Sequence, residues 1–243
     1  MIIGICGAPG CGKTAVGMLL SHALHAGGRK KVIFLSPDQT VPAAGLLFPS
    51  RRRQDTGSLG EALDRTDIGE EDIVRQLTFP EGRRDLAVLG YRTGECAFTY
   101  PAVTADKAER LLEILEKIAD YTVAEITCGH EEKIGALVRA SCPALVRLRG
   151  PDVRGAVYDA SAAGMYRRRE DAEIGVMNID LPDEFLPSDD ALRCAGDISV
   201  TLPYSKELRE RYMCGTLASG ACGGAFGEAM RKLCGEVLSH GDV

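Results

Sequence analysis

Short apolar segments alternate along the chain with longer segments in which apolar residues recur at helical spacing. The apolar segments have the length of β-strands, and they cover residues 2–6, 32–35, 86–89, 121–126, 144–148, 174–178 and 198–202. Helical spacing is found in residues 15–24, 107–119, 205–213 and 228–238. This alternation is typical of a parallel sheet wrapped by helices. The sequence therefore predicts an α/β fold with a mostly parallel, twisted sheet and helices on both faces.

The remaining segments show no internal repeat and no linker rich in Pro, Gly or Ser. We therefore expect one domain that spans residues 1–243. Residues 54–69 carry Gly, Ser, Thr and Asp at intervals, which predicts a loop with a short helix. Two arginine runs, residues 51–53 and 167–169, are typical of a solvated surface.

Composition excludes several classes of protein. The chain has 29 Lys and Arg against 35 Asp and Glu, and its net charge of −6 argues against a polyanion binder that works by bulk charge. With 45% hydrophobic and 26% charged residues, it resembles a soluble globular protein. No apolar run approaches the roughly 18 residues that cross a membrane, and the N-terminus lacks a basic signal region. The 9 cysteines form no CxxC pair. We expect reduced thiols and a cytoplasmic protein.

The most informative motif lies directly after the first predicted strand. Residues 7–14 read GAPGCGKT and match the phosphate-binding pattern G-x-x-x-x-G-K-[ST] completely. In such a P-loop, glycines let backbone N–H groups face the phosphates, Lys13 reaches the β- and γ-phosphates, and the Thr14 hydroxyl binds Mg²⁺. A helix follows at once, as the motif requires. The residues predicted to bind nucleotide here are Gly7, Gly10, Cys11, Gly12, Lys13, Thr14 and Ala15.

Two acidic residues near strand ends are candidates for catalysis and for holding Mg²⁺ beside Thr14. Asp38 follows the second strand and could orient the attacking water, or it could cap a turn after Pro37; spacing leaves both open. Glu125 lies near the end of the strand 121–126, where a Walker B carboxylate is expected. Glutamate is one methylene longer than aspartate, which shifts the geometry of an octahedral Mg²⁺ site. We therefore expect impaired hydrolysis.

The order of these motifs resembles the ParA/MinD-like ATPases of the SIMIBI class of P-loop NTPases. Similarity is greatest to the TadZ/CpaE-like, pilus-positioning branch or the mobile-element ParA-like branch. The matching segments are GAPGCGKT, SPDQT at 36–40, residues 58–64 and 89–95, ADYTVAE at 119–125, GPD at 150–152, VMN at 176–178 and LPY at 202–204. The resemblance implies ATP and Mg²⁺ as cofactors. It also implies that Asn178 reads the base edge, with Pro203 and Tyr204 beside it.

Three positions depart from that family's pattern. Ala8 replaces a signature lysine that reaches the phosphates of a partner subunit, Ser36 replaces the first aspartate of the switch, and Glu125 replaces the Walker B aspartate. Each change removes or displaces charge that would stabilise phosphoryl transfer. We expect slow turnover, or binding without turnover. An ATP-dependent homodimer stays open, although the loop itself no longer implies it.

Contacts with other macromolecules follow from the charge pattern. The C-terminal segment 225–238 has an apolar face, but its basic residues are only Arg231 and Lys232. That is too few to hold an anionic membrane, so we expect the apolar face to pack on the protein. The negative net charge does not support DNA contact either. A protein partner or cargo complex is the safer expectation.

The residues thus favour an ATP-binding ParA/MinD-like protein, a slow Mg-dependent ATPase switch that partitions or positions a macromolecular cargo. One alternative is a nucleotide-binding scaffold that does not hydrolyse ATP. Another is a small-molecule P-loop kinase, whose lid the arginines at 51–53, 83–84 or 167–169 could supply. Cys11 adds a hypothesis of redox gating, because Lys13 and the helix N-terminus would lower the pKa of a nearby thiol.

Overall fold

The computed structural model describes residues 1–128, 132–165, 171–179 and 197–241. In these residues seven strands form one sheet, and every neighbouring pair is parallel. The strands are β1 Ile2–Gly7, β2 Val32–Ser36, β3 Leu86–Gly90, β4 Tyr121–Glu125, β5 Ala144–Arg149, β6 Glu173–Asn178 and β7 Val200–Leu202. Their order across the sheet is β3-β2-β4-β1-β5-β6-β7. The predicted parallel sheet is confirmed, with strand ends that differ by one or two residues.

The helices connect successive strands. In the described part of the chain they are α1 Lys13–Ala26, α2 Ala43–Leu47, α3 Leu59–Leu63, α4 Glu70–Arg75, α5 Ala105–Ile118, α6 Lys133–Ser141, α7 Val153–Met165, α8 Lys206–Met213 and α9 Gly224–Gly241. The four predicted helices and the short helix within 54–69 are confirmed. The sequence analysis did not predict α2, α4, α6 or α7.

Both faces of the sheet are covered, and each carries its own apolar core. On one face α1 and α9 pack against alternate strand residues, with Met18, Phe34 and Leu233 among the buried side chains. On the other face α5 and α6 pack against the remaining strand residues. A strand with both faces buried must be apolar throughout, which is why these strands were recognisable in the sequence.

The C-terminal helix α9 buries its apolar side within the protein. Phe226, Met230, Leu233 and Val237 are all buried in the core that α1 and β7 share. Because the segment has few basic residues, we predicted that its apolar face packs on the protein, and the structure confirms this packing. Among the residues described, no helix combines the length and the apolar character that crossing a bilayer requires.

A buried histidine in α1 makes the stability of the fold depend on pH. His22 is 1% exposed, and burial, with the nearby Arg83 charge, lowers its pKa to about 4. Because the unfolded chain binds this proton more readily, the stability due to neutral His22 is complete above the ordinary pKa of about 6.5. That stability is lost as the pH falls from there towards 4. We expect the free energy of unfolding to drop by about 3 kcal/mol over this interval on account of His22.

Urea unfolding at pH 7.5 and pH 4.5 measures this loss, with His22→Leu as the control. The leucine side chain fills a similar space and binds no proton, so the variant should lose less stability than the wild type over the same interval. Equal losses in both proteins would show that another group is responsible.

Candidate functional site

A cleft of about 780 Å³ opens at the carboxyl ends of the central strands, the edge of a parallel sheet where ligands bind. The P-loop after β1 forms its floor. The segment after β2 forms one wall, and the start of α8 forms another. Most of the nucleotide-binding residues predicted from the sequence meet here. Those that line the cleft are Gly10, Gly12, Lys13, Thr14, Ala15, Asp38, Glu125, Asn178 and Tyr204.

Parts of the P-loop have a backbone conformation that only glycine adopts readily. Gly10 and Gly12 have positive φ angles of 79° and 93°. A Cβ atom at Gly7 would lie 2.1 Å from the carbonyl oxygen of Leu148 on the neighbouring strand. α1 then begins at Lys13 without a side-chain cap, and its first-turn N–H groups are directed towards the cleft. An uncapped helix N-terminus is a ready site for an anion, so the loop fits a phosphate chain.

Lys13 lies folded along the loop. Its Nζ donates hydrogen bonds to the carbonyl oxygens of Gly7 and Ala8, both at 3.1 Å, and to Sγ of Cys128 at 3.4 Å. Burial by itself lowers the pKa of Lys13, but the Cys11 and Cys128 thiols and the Glu125 carboxyl outweigh burial and raise it. Lys13 is therefore charged at neutral pH and points at the place where phosphates would lie.

Glu125 and two hydroxyl groups form a cluster beside Lys13. Oγ1 of Thr14 donates to both carboxyl oxygens of Glu125, at 3.0 and 3.1 Å, and Oγ of Ser36 donates to Oε2 at 2.9 Å. Glu125 is 4% exposed, and burial raises its pKa although Lys13 and the two hydroxyls oppose the shift. Carboxylate and hydroxyl oxygens are the ligands that Mg²⁺ prefers, so the donor set fits this ion. Two predicted magnesium ligands, Thr14 and Glu125, are thus in contact.

Asp38 lies on the cleft wall but has its own local contacts. Its Oδ1 accepts hydrogen bonds from the backbone N–H groups of Thr40 at 2.7 Å and Val41 at 3.0 Å. The turn-capping role that the sequence left open is therefore present. The side chain is partly exposed and lines the cleft, and its role in catalysis or magnesium binding stays a prediction.

The residues predicted to face the base lie at the carboxyl ends of β6 and β7. Nδ2 of Asn178 donates to the carbonyl oxygen of Cys11 at 3.0 Å, so this amide also supports the P-loop. Tyr204 lines the cleft, whereas Pro203 is not among the residues that do. The sequence reasoning missed several further lining residues, because nothing local marks them: Cys128, Ile179, Leu208, Arg209 and Tyr212.

Solved structures similar to this one share its topology along nearly the whole chain. MinD from Pyrococcus furiosus superposes with a TM-score of 0.73 at 18% identity, and 98% of each chain is covered. MinD from Pyrococcus horikoshii, complexed with Mg-ADP, gives 0.70 at 17% identity, with 97% of this chain and 95% of that chain covered. A ParA family ATPase from Chlorobium tepidum gives 0.72 at 13%, with 96% and 98% covered. The chain has the fold of the MinD and ParA ATPases. No family model matches the sequence, and no curated protein matches it either.

On this MinD/ParA fold, the three departures from the family's pattern have visible consequences. Ala8 is 3% exposed and packs in the core cluster of the α1 face, so position 8 supplies no charge at the mouth of the loop. Ser36 is fully buried and hydrogen-bonded to Glu125. The carboxyl group of Glu125 therefore reaches the hydroxyl group of Ser36.

Two hypotheses from the sequence lose support in this cleft. Burial raises the pKa of Cys11 to about 12, although Lys13 opposes the shift, which is opposite to the lowered pKa that redox gating needs. Of the arginines predicted to supply a kinase lid, Arg51, Arg52, Arg83 and Arg84 do not line the cleft in the described part of the chain. Arg51 donates to the carbonyl oxygen of Phe79 and stacks on Phe48, away from the cleft. Residues 167–169 lie outside the described residues.

Proposed function

We propose that the protein binds Mg-ATP in this cleft and acts as a slow ATPase switch that partitions or positions a macromolecular cargo. The observation that carries the proposal is the cluster of Lys13, Thr14 and Glu125 at the mouth of a complete P-loop. The Mg-ADP complex of the P. horikoshii MinD, which has the same fold, supports the choice of ligand. We further propose a single domain over residues 1–243 and a relationship to the TadZ/CpaE-like or mobile-element ParA-like branch.

The chain's own residues account for phosphate binding. The N–H groups of the loop and of the first turn of α1 surround the phosphates, and Lys13 exchanges its loop carbonyls for phosphate oxygens. Thr14 and Glu125 would hold Mg²⁺, which neutralises charge on the β- and γ-phosphates when it is bound. Asp38, partly exposed on the cleft wall, is placed to orient a water molecule.

The base would occupy the far end of the cleft. Asn178 lies at the junction between the loop and this end, and Tyr204 with Leu208 and Tyr212 of α8 provides flat or apolar surface on which a purine could stack. Pro203, which directly precedes Tyr204 after β7, does not line the cleft and has no direct part in the proposed base site. Adenine rather than guanine is implied by the resemblance to ATPases.

The Glu125 cluster is the reason that we propose slow turnover. Its carboxyl group hydrogen-bonds both hydroxyls directly, so Thr14 and Glu125 would have to move apart to hold a hydrated Mg²⁺ between them. Glu125→Asp withdraws the carboxyl by roughly one C–C bond, about 1.5 Å, and leaves this space open. We expect Glu125→Asp to raise the rate of phosphate release several-fold. A stopped assay of released phosphate measures this, and an unchanged or lower rate would show that the length of Glu125 does not limit turnover.

The partners we propose are protein partners or a cargo complex, together with an ATP-dependent homodimer, in the cytoplasm. Two alternative functions also stay open to test. A scaffold that binds ATP without hydrolysis is favoured by buried Ala8 and by the direct contact of Glu125 with Thr14. A small-molecule kinase is disfavoured because Arg209 is the one arginine among the described residues that line the cleft.

Phosphate release from ATP with Mg²⁺, measured over a range of protein concentrations with GTP alongside, tests the proposal. Release that prefers ATP, rises faster than linearly with protein and disappears in Lys13→Ala would support a dimerising ATPase. ATP binding without release would favour the scaffold. Release only when a second substrate is present would favour the kinase, and neither binding nor release would refute the proposal.

A further inference from the structure

The start of α7 places an arginine over the tip of the P-loop. α7 begins at Val153, just after β5, and β5 pairs with β1 along the central edge of the cleft. A Cβ atom at Gly10 would lie 3.6 Å from Nη1 of Arg154. Pro9 and Gly10 are themselves exposed, so the guanidinium group lies beside an accessible part of the loop.

The guanidinium group is available for a ligand. The side chain of Arg154 is 71% exposed, and its ion pair with Asp152 is long, at 3.9 Å, with both partners largely in water. Such a pair contributes little to stability. Oδ1 of Asp152 already accepts a hydrogen bond from the backbone N–H of Gly155. Arg154 can therefore turn towards an anion at little cost.

Among the described residues that line the cleft, only Lys13 and Arg209 carry a cationic side chain, and Arg209 lies on α8 at another wall. Arg154 itself does not line the cleft, and its guanidinium group lies beside Gly10 at the tip of the loop. Ala8 and Ser36 are neutral and buried. The terminal phosphate carries charge on three oxygens during transfer, and arginine recognises such groups through two parallel hydrogen bonds.

We propose that Arg154 binds the terminal phosphate of ATP and supplies the positive charge that Ala8 does not. Arg154 thereby distinguishes a triphosphate from a diphosphate, because ADP lacks the phosphate that the arginine would bind. This inference rests on the proposed function, since it requires the nucleotide to lie in the P-loop.

Calorimetric titration with Mg²⁺ and either ADP or a non-hydrolysable ATP analogue tests this role without relying on turnover. In Arg154→Ala we expect the affinity for the analogue to fall about tenfold and that for ADP to change less than twofold. Arg154→Lys, which keeps the charge but not the paired hydrogen bonds, should recover part of the loss. Arg75→Ala removes a similarly exposed arginine on α4, away from the cleft, and should match the wild type for both ligands.

Each other outcome is equally informative. Wild-type affinity for the analogue in Arg154→Ala, or equal losses for ADP and the analogue, would overturn the role of Arg154 while the proposed function stands. If the wild type binds neither nucleotide, the proposed function fails together with the inference. Arg154→Gln keeps a polar side chain, shorter than that of arginine and without its charge, and it repeats the test should the alanine variant not fold.

Discussion

Replacing Lys13 with alanine is expected to lower the affinity for Mg-ATP at least a hundredfold. The ammonium group is buried, charged and committed to two loop carbonyls at 3.1 Å, and phosphate oxygens would take the place of these acceptors. Hydrogen bonds to charged groups contribute about 1.5–3 kcal/mol each, and 2.7 kcal/mol corresponds to about a hundredfold in affinity. Calorimetric titration of the wild type and the variant measures the difference.

The variant needs a check on its fold and a matched control. Lys117→Ala removes a lysine from the exposed side of α5, changes the net charge equally and should bind Mg-ATP like the wild type. Urea unfolding of Lys13→Ala establishes that the loss reflects binding rather than collapse of the loop. Binding by Lys13→Ala with wild-type affinity would remove the basis of the whole assignment.

Glu125→Gln is expected to abolish the dependence of nucleotide binding on Mg²⁺. The amide keeps the size of the side chain and its contact with Thr14 or Ser36, but it loses the negative charge that the metal ion requires. We expect Mg²⁺ to strengthen ATP binding in the wild type and to have almost no effect in the variant. Phosphate release should fall about a hundredfold, the usual loss when one group that stabilises the transition state is removed.

Glu132→Gln is the matched control for this prediction. Glu132 also lines the cleft, and burial also raises its pKa, but its carboxyl oxygens accept hydrogen bonds from the N–H groups of Ile134 and Gly135 at the start of α6. Glu132→Gln should lower the stability of that helix and leave the effect of Mg²⁺ on ATP binding unchanged. A Glu125→Gln protein that still binds ATP more tightly with Mg²⁺ would place the metal ion elsewhere.

The parts of the site that the sequence predicted are those fixed by a short local motif. The P-loop holds Thr14 in the first turn of α1, and a buried strand carries Glu125 to the same edge, so their contact follows from the parallel sheet. The strands themselves were predictable because burial on both faces makes them apolar throughout. Helices α2 and α4 were not, because 5 and 6 residues are too few to show a helical period.

The rest of the site depends on packing between distant segments, which local patterns do not record. Cys128 contacts Lys13 across 115 positions of sequence, and Tyr212 lines the cleft from α8, which is far in sequence from the P-loop. Asp38 shows a related limit. Its spacing fits a catalytic acid and a turn equally well. Only the structure shows that its carboxyl group accepts hydrogen bonds from two backbone N–H groups.

Millisecond hydrogen exchange with and without Mg-ATP tests most directly whether the P-loop holds the phosphates. The N–H groups of Lys13, Thr14 and Ala15 begin α1 without a side-chain cap, so bound phosphate should be their main protection. We predict that Mg-ATP slows their exchange while exchange in α5 stays unchanged. Binding of Mg-ATP that leaves these three N–H groups exchanging at their free rate would contradict the proposed site.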